Sequence, residues 1–266
     1  MPIAHINNAH IHYEIQGPAN APALILSNSL ATNFGMWDAQ IPDLHKHFRV
    51  LRYDTRGHGR SEVTPGPYSF EQLGRDVLAL ADEVDMDTFS FCGLSMGGIT
   101  GMWLGINAGQ RLRKLALCST AAKIGNPDTW NARIEAVRKG GMKSIAAATM
   151  DRWFTAPFRE REPQATERIK HMVESTSSDG FIANCEALRE ADFREGITTI
   201  RTPTLVISGT HDTGTTPADG KFLAKQIPGA RYVELDAAHL SNIEQQKQFT
   251  QEVSAFLQKP WASERS

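Results

Sequence analysis

Long apolar runs are missing from this sequence. No stretch approaches the ~20 residues that a membrane-spanning helix needs, which argues against a membrane protein. The opening residues, Met1-Pro2-Ile3-Ala4-His5-Ile6-Asn7-Asn8, lack the basic-then-apolar pattern of a signal peptide. A charge excess is missing too: 28 Lys and Arg face 30 Asp and Glu, a net charge of −2. That balance gives no long-range attraction for nucleic acid or an acidic membrane, so an anionic substrate would need a local cationic pocket. Cysteine is scarce. The three, Cys92, Cys118 and Cys185, are an odd number without a Cys-x-x-Cys pair, and two fall in apolar runs as small buried hydrophobes do. These absences predict a soluble, cytoplasmic protein without structural disulfides. What is present is ordinary for a globular enzyme: 266 residues, 41% hydrophobic and 22% charged, enough for one large α/β domain or one carrying an insertion.

Residues 4–16 alternate around Asn7-Asn8, as a short hairpin would. The runs 23–26, 48–53, 88–92 and 115–118 read as strands buried on both faces, and 204–208 and 231–235 as further strands. Between them lie helical stretches. Ser69 and Gln72 predict a capping box opening one helix, and Leu73, Val77, Leu80 and Val84 form its buried stripe. Another helix runs from the glycines after residue 93 to about Ala108, and a last one from about Ser241 to Leu257. Strands alternating with helices predict an α/β fold with a mostly parallel, doubly wound sheet. Residues 124–190 break the rhythm and read as helices over 129–139, 142–153, 164–175 and 180–190. The expected organisation is a core of 1–123 and 191–258, a helical cap of 124–190, and a polar tail of 259–266. An insertion leaving the carboxyl edge of a parallel sheet lies over the crevice where ligands bind.

The run 89–92 leads into Gly93-Leu94-Ser95-Met96-Gly97 and then a helix-compatible segment. That is the setting of a nucleophile elbow, with Ser95 on a strained turn and glycines where a Cβ would collide. A plain Gly-rich turn would show the same spacing, so Ser95 needs partners. A serine hydroxyl is a weak nucleophile and requires a base oriented by an acid. His239 follows the last strand and precedes the last helix. Asp212 follows the strand 204–208 on the same sheet edge. Asp236 is its rival, close to His239 in sequence, while His211 adjoins the acid on one loop and makes a poor base. The order Ser95, Asp212, His239 is the chain order of one hydrolase arrangement. Two amides would stabilise the oxyanion: Met96 N–H, next after the nucleophile, and Leu30 N–H in the loop after 23–26.

At these residues the chain resembles the α/β-hydrolase family over almost its whole length. The elbow, Asp54-x-Arg56-Gly57-x-Gly59-x-Ser61, Gly209-x-x-Asp212 and His239 stand where that family carries them. Most members have His-Gly before the oxyanion donor, whereas this chain has Asn28-Ser29-Leu30. Ser27-Asn28-Ser29-Leu30-Ala31-Thr32 with Met36-Trp37 looks like the 3-oxoadipate enol-lactonases of the β-ketoadipate pathway, which usually have Gly where Ala31 stands. A positive φ there would leave Ala31 strained. Trp130-x-x-Arg133 and Arg152-Trp153-Phe154 resemble the lactonase insert.

The resemblance implies a serine hydrolase that opens a small carboxylated enol-lactone in aromatic-compound catabolism, without metal or organic cofactor. It also implies substrate contacts from Ser29, Trp130, Arg133 and Trp153. The i,i+3 spacing puts Trp130 and Arg133 on one helix face. An arginine beside an aromatic wall suits a carboxylate. A helix surface with one packed Trp and one solvated Arg has the same spacing, and Arg152 is an alternative anchor. The same residues would also fit a carboxylesterase, a carbon–carbon bond hydrolase of ring-cleavage products, or a ligand receptor on a hydrolase scaffold.

Overall fold

Asn7 and Asn8 both take left-handed φ values, 46° and 59°, as a two-residue hairpin turn of the primed type requires. Strand β1 (Ile3–Ile6) therefore folds back on β2 (Ala9–Gln16), with Ile6 opposite Ala9. The computed structural model describes residues 2–259, so all of the expected polar tail except Lys259 lies outside the described residues.

After the hairpin the chain alternates. Strand β3 (Ala23–Ser27) is followed by a 3-10 turn and the short α1 (Ile41–Leu44), then β4 (Arg49–Tyr53) and α2 (Phe70–Glu83). Strand β5 (Phe89–Leu94) runs directly into α3 (Met96–Asn107), and β6 (Leu112–Cys118) follows. Next come α4 (Pro127–Gly140), α5 (Lys143–Trp153), α6 (Ala156–Arg161), α7 (Pro163–Ser175) and α8 (Ser178–Glu190). The core then resumes with β7 (Thr204–Gly209), α9 (Pro217–Gln226), β8 (Arg231–Leu235), α10 (Ser241–Glu244) and α11 (Gln246–Gln258).

Among the described residues the strands form one sheet in the order β1-β2-β4-β3-β5-β6-β7-β8. Strands β1, β2 and β4 pair antiparallel, and every pairing from β4 to β8 is parallel. Leu24, Ile25 and Leu26 pack between the faces, and β5 is buried along its whole length, as continuous apolar strands of a two-sided sheet must be. Ser27 pairs with Gly93, Leu94 with Cys118, and Gly209 with Leu235. The carboxyl ends of β3, β5, β7 and β8 thus lie along one edge, and the loops after them carry Leu30, Ser95, Asp212 and His239.

Three details differ from the sequence reading. Ser69 Oγ accepts the Gln72 N–H at 3.1 Å, but the return half of that capping box does not form; Thr216 and Asp219 make a complete one on α9. Helix α6 fills a stretch with no apolar periodicity, started by Thr155 capping the Phe158 N–H and by Pro157 in its first turn. The last helix is broken at Gln245 (φ −117°, ψ 46°). The break turns Glu244 inward, where its carboxylate accepts the Ala238 N–H at 2.9 Å, while the Gln245 amide caps the Asp236 carbonyl at 2.7 Å.

Candidate active site

Ser95 sits between β5 and α3 with φ 58° and ψ −113°, a strained geometry for a residue with a Cβ. The turn closes because its neighbours lack side chains. A Cβ on Gly93 would overlap the Gly97 carbonyl, and one on Gly97 would overlap the backbone of Ser27 in β3. Ser95 N–H is tied to the Cys118 carbonyl at 2.9 Å, and Thr120 Oγ1 donates to the Ser95 carbonyl at 2.8 Å. The serine is thereby held at the sheet edge with its hydroxyl at the start of a helix.

Asp212 and His239 meet there. His239 Nδ1 stands 2.7 Å from Asp212 Oδ2. The carboxylate takes three further donors: Gly214 N–H at 2.8 Å, Thr215 N–H at 3.0 Å and Thr215 Oγ1 at 2.7 Å. Burial alone would push the Asp212 carboxyl up, but His239 and the Thr215 donors outweigh it and hold the carboxyl below the usual range. The rival Asp236 is turned outward, paired with the exposed His211 at 2.8 Å. Nothing in the sequence alone singles out Thr215, although Asp-x-x-Thr is a spacing at which a hydroxyl folds back on its own loop's carboxylate.

On the other side of Ser95, the amides around the β3 loop divide cleanly. Ser29 N–H contacts Met36 Sδ at 3.3 Å, Ala31 N–H donates to His58 Nε2 at 2.9 Å, and Gly97 N–H donates to the Asn28 carbonyl at 3.0 Å. Among the described residues, neither Leu30 N–H nor Met96 N–H has a protein acceptor. Asn28 anchors this loop through its side chain, accepting Trp37 Nε1–H at 3.0 Å and donating to the Tyr53 carbonyl at 2.8 Å. Ala31 does take a left-handed φ, 62°, so the strain expected for a non-glycine residue is present.

Ser29, Leu30, Ser95, Asp212 and His239 line one cavity of about 400 Å³, together with Trp130, Arg133, Arg152 and Trp153 from the helices between β6 and β7. Trp153 stacks on the His239 ring at 6.0 Å, and its carbonyl accepts the Leu240 N–H at 3.1 Å. Trp130 is packed, its indole N–H bonded to the Ile124 carbonyl at 2.7 Å, and the Arg133 guanidinium lies 4.8 Å over its ring. Arg133 is half-buried and not a solvated surface residue. Arg152 stands beside it, bonded to Thr149 Oγ1 at 3.2 Å. Burial pushes both arginines' pKa values down, and for Arg152 the neighbouring Arg133 charge adds to the effect. Among the described residues, neither pairs with a carboxylate. Ser29 Oγ is likewise buried without a hydrogen-bond partner.

Such an arrangement suits acyl transfer: a hydroxyl, a carboxylate-oriented imidazole, two free amides and a cationic wall in a partly apolar pocket. Comparison with known proteins gives the family. A sequence profile described as alpha/beta hydrolase fold matches residues 22–246. The chain is 42% identical to 3-oxoadipate enol-lactonase 2 of Acinetobacter baylyi, over 97% of this chain and 99% of that one. A crystal structure of the enol-lactonase from Burkholderia xenovorans LB400 superposes with a TM-score of 0.96 at 50% identity, covering 97% of this chain and all of the other. A malate-bound thermophilic esterase from Thermogutta terrifontis is more distant, at 29% identity and a TM-score of 0.90 over 96% of each chain. The chain therefore belongs to the α/β-hydrolase family, in the group that holds the 3-oxoadipate enol-lactonases.

Proposed function

We propose that this protein is a serine hydrolase that opens 3-oxoadipate enol-lactone to 3-oxoadipate through an acyl-enzyme. The observation that carries the choice of substrate is the pair Arg133 and Arg152, two guanidinium groups in the cavity that Ser95 lines, neither of which pairs with a carboxylate among the described residues. Leaving such charges half-buried is costly unless a ligand answers them, and an enol-lactone with a free carboxylate does.

In the first step neutral His239 takes the Ser95 proton at Nε2 as Oγ attacks the lactone carbonyl, and the Asp212 carboxylate stabilises the imidazolium through Nδ1–H. The Leu30 and Met96 amides receive the tetrahedral oxyanion. Collapse breaks the ring C–O bond, and His239 returns the proton to the departing enol oxygen, which stays tethered to the acyl group and ketonises. Water, deprotonated by His239, then attacks the ester and frees Ser95. The second carboxylate appears in this last step, at the end of the ligand away from the arginines. The free, buried thiols of Cys92, Cys118 and Cys185 suit a cytoplasmic setting. Among the described residues no helix is long and apolar enough to cross a membrane.

The test is turnover of 3-oxoadipate enol-lactone by the purified protein, read as 3-oxoadipate formed, with Ser95→Ala as control. Multiple turnovers lost in the variant support the assignment. Hydrolysis of neutral esters with the lactone left intact would give the carboxylesterase reading instead.

A further inference from the structure

We propose that His58 is a positioning residue for the oxyanion site: by accepting the Ala31 N–H it holds the left-handed turn that presents the Leu30 amide to the reacting carbonyl. The inference rests on the acyl-transfer reading above, and extends the working site to a histidine that never meets substrate.

Ala31 is held at φ 62°, where an L side chain is strained, and such a residue persists only when its surroundings over-determine it. Here two grips do so. On one side Ala31 N–H donates to His58 Nε2 at 2.9 Å; on the other the Ala31 carbonyl, 3.3 Å from Thr176 Oγ1 at the end of α7, shares that hydroxyl's one hydrogen with the Met172 carbonyl at 2.9 Å, which makes this the weaker grip. Leu30 lies between this clamped residue and Ser29, whose carbonyl is itself bonded to Thr32 Oγ1 at 2.8 Å. With both flanks held, the Leu30 N–H, which has no acceptor among the described residues, has little freedom to turn away.

His58 can act only as an acceptor at Nε2, which places its ring proton on Nδ1, 3.4 Å from the Arg56 carbonyl. Burial pushes its pKa down to about 4, so the Nε2 lone pair is available at neutral pH. Asn184 Nδ2 also lies 3.4 Å from Nδ1, but its hydrogens go to the Arg56 carbonyl at 3.0 Å and the Gly180 carbonyl at 2.8 Å. The loop behind His58 is braced on two sides. Arg56 grips Asp76 of α2 with two bonds of 2.8 Å, and Gly57 packs against Gly180 of α8 so closely that a Cβ on Gly180 would overlap the Gly57 carbonyl. Helices α7 and α8 thus reach the oxyanion loop from behind, through Thr176 directly and through Asn184 and His58 by way of the Arg56 carbonyl that both bond.

The test is a set of variants of the full chain assayed on p-nitrophenyl acetate, a neutral ester that needs the oxyanion site but not the arginines. Failure on the lactone and failure of the loop are then separate results. Loss of ester turnover in Ser95→Ala identifies acyl transfer; retained turnover would remove the basis of the inference. His58→Leu should lower kcat roughly 10- to 100-fold with KM changed by less than about 3-fold, short of the 10²- to 10³-fold loss for deleting a donor outright. His58→Gln, which restores an acceptor, should recover most of that loss, as should adding Ala31→Gly, which removes the need for the clamp. If the leucine variant does not fold, Thr176→Val, lacking the second grip, should still lower kcat roughly 3- to 10-fold. Unchanged kcat in His58→Leu or in Thr176→Val, or a loss that neither glutamine nor glycine relieves, would overturn the inference.

Discussion

Asp212 Oδ2 lies 2.7 Å from His239 Nδ1, whereas Asp236, only three residues before the histidine, points into solvent and pairs with His211. Proximity along the chain is overruled by the sheet: β7 and β8 are hydrogen-bonded neighbours, so the loop after β7 reaches His239 from the side. Asp212→Asn should therefore lower kcat by about 10⁴-fold, because the amide no longer selects the tautomer with Nε2 free. Asp236→Asn should stay within about 2-fold of the parent. Steady-state kinetics of the two variants check the assignment, and equal losses would refute it.

Thr215 shares Asp212 Oδ2 with the imidazole, its hydroxyl 2.7 Å from that oxygen and 3.3 Å from His239 Nδ1. Thr215→Val keeps the backbone donor to Oδ1 but removes this hydroxyl. Losing one hydrogen bond to a charged group, of order 1.5 kcal/mol, should lower kcat about 10-fold with KM little changed. A rise in KM alone would place Thr215 in substrate binding.

The two cavity arginines should separate substrates by charge. Arg133→Leu and Arg152→Leu should each cut kcat/KM for the carboxylated lactone roughly 10- to 100-fold, as expected for a charge-assisted contact of 1.5–3 kcal/mol. Turnover of a neutral ester should be spared. An equal loss on both substrates would mean that the arginine supports the helices and not the ligand.

His58 ties stability to pH. Its pKa falls from an ordinary 6.5 to about 4 on folding, so between those values the unfolded chain binds a proton that the folded chain refuses. Stability is whole above about pH 6.5 and is lost on the way down to pH 4, by about 3 kcal/mol from this group. His58→Gln should flatten Tm against pH within that window. A slope identical to the parent's would show that other groups carry the dependence.

What the sequence makes legible follows from backbone chemistry. Ser95, Asp212 and His239 each follow an apolar run, and the glycines at 93 and 97 mark a turn that no side chain could share, so their convergence on one edge can be read in advance. Leu30 is legible as a residue of the loop that follows the strand 23–26. Arg133 is legible only as a position on a helix face, because i,i+3 spacing does not say what lies across from that face. That it meets no carboxylate among the described residues, and that Arg152 stands beside it, emerge from the packing of α4 against α5. His58 and Thr176 are less legible still. They act on Ala31 from 27 and 145 residues away, a distance no local pattern spans. The break at Gln245 is equally tertiary, set by what Glu244 bonds.

That inward Glu244 has a practical consequence. Its carboxylate accepts the Ala238 N–H beside His239 and also the Thr155 hydroxyl and N–H between α5 and α6. The inserted helices and the histidine loop are thus one hydrogen-bonded unit. Transplanting a foreign insertion into this scaffold to change its selectivity would leave a buried carboxylate without its partners, and would disturb the imidazole before any new pocket was tried. A working chimera must carry a hydroxyl at position 155 across with the graft, or replace Glu244 at the same time.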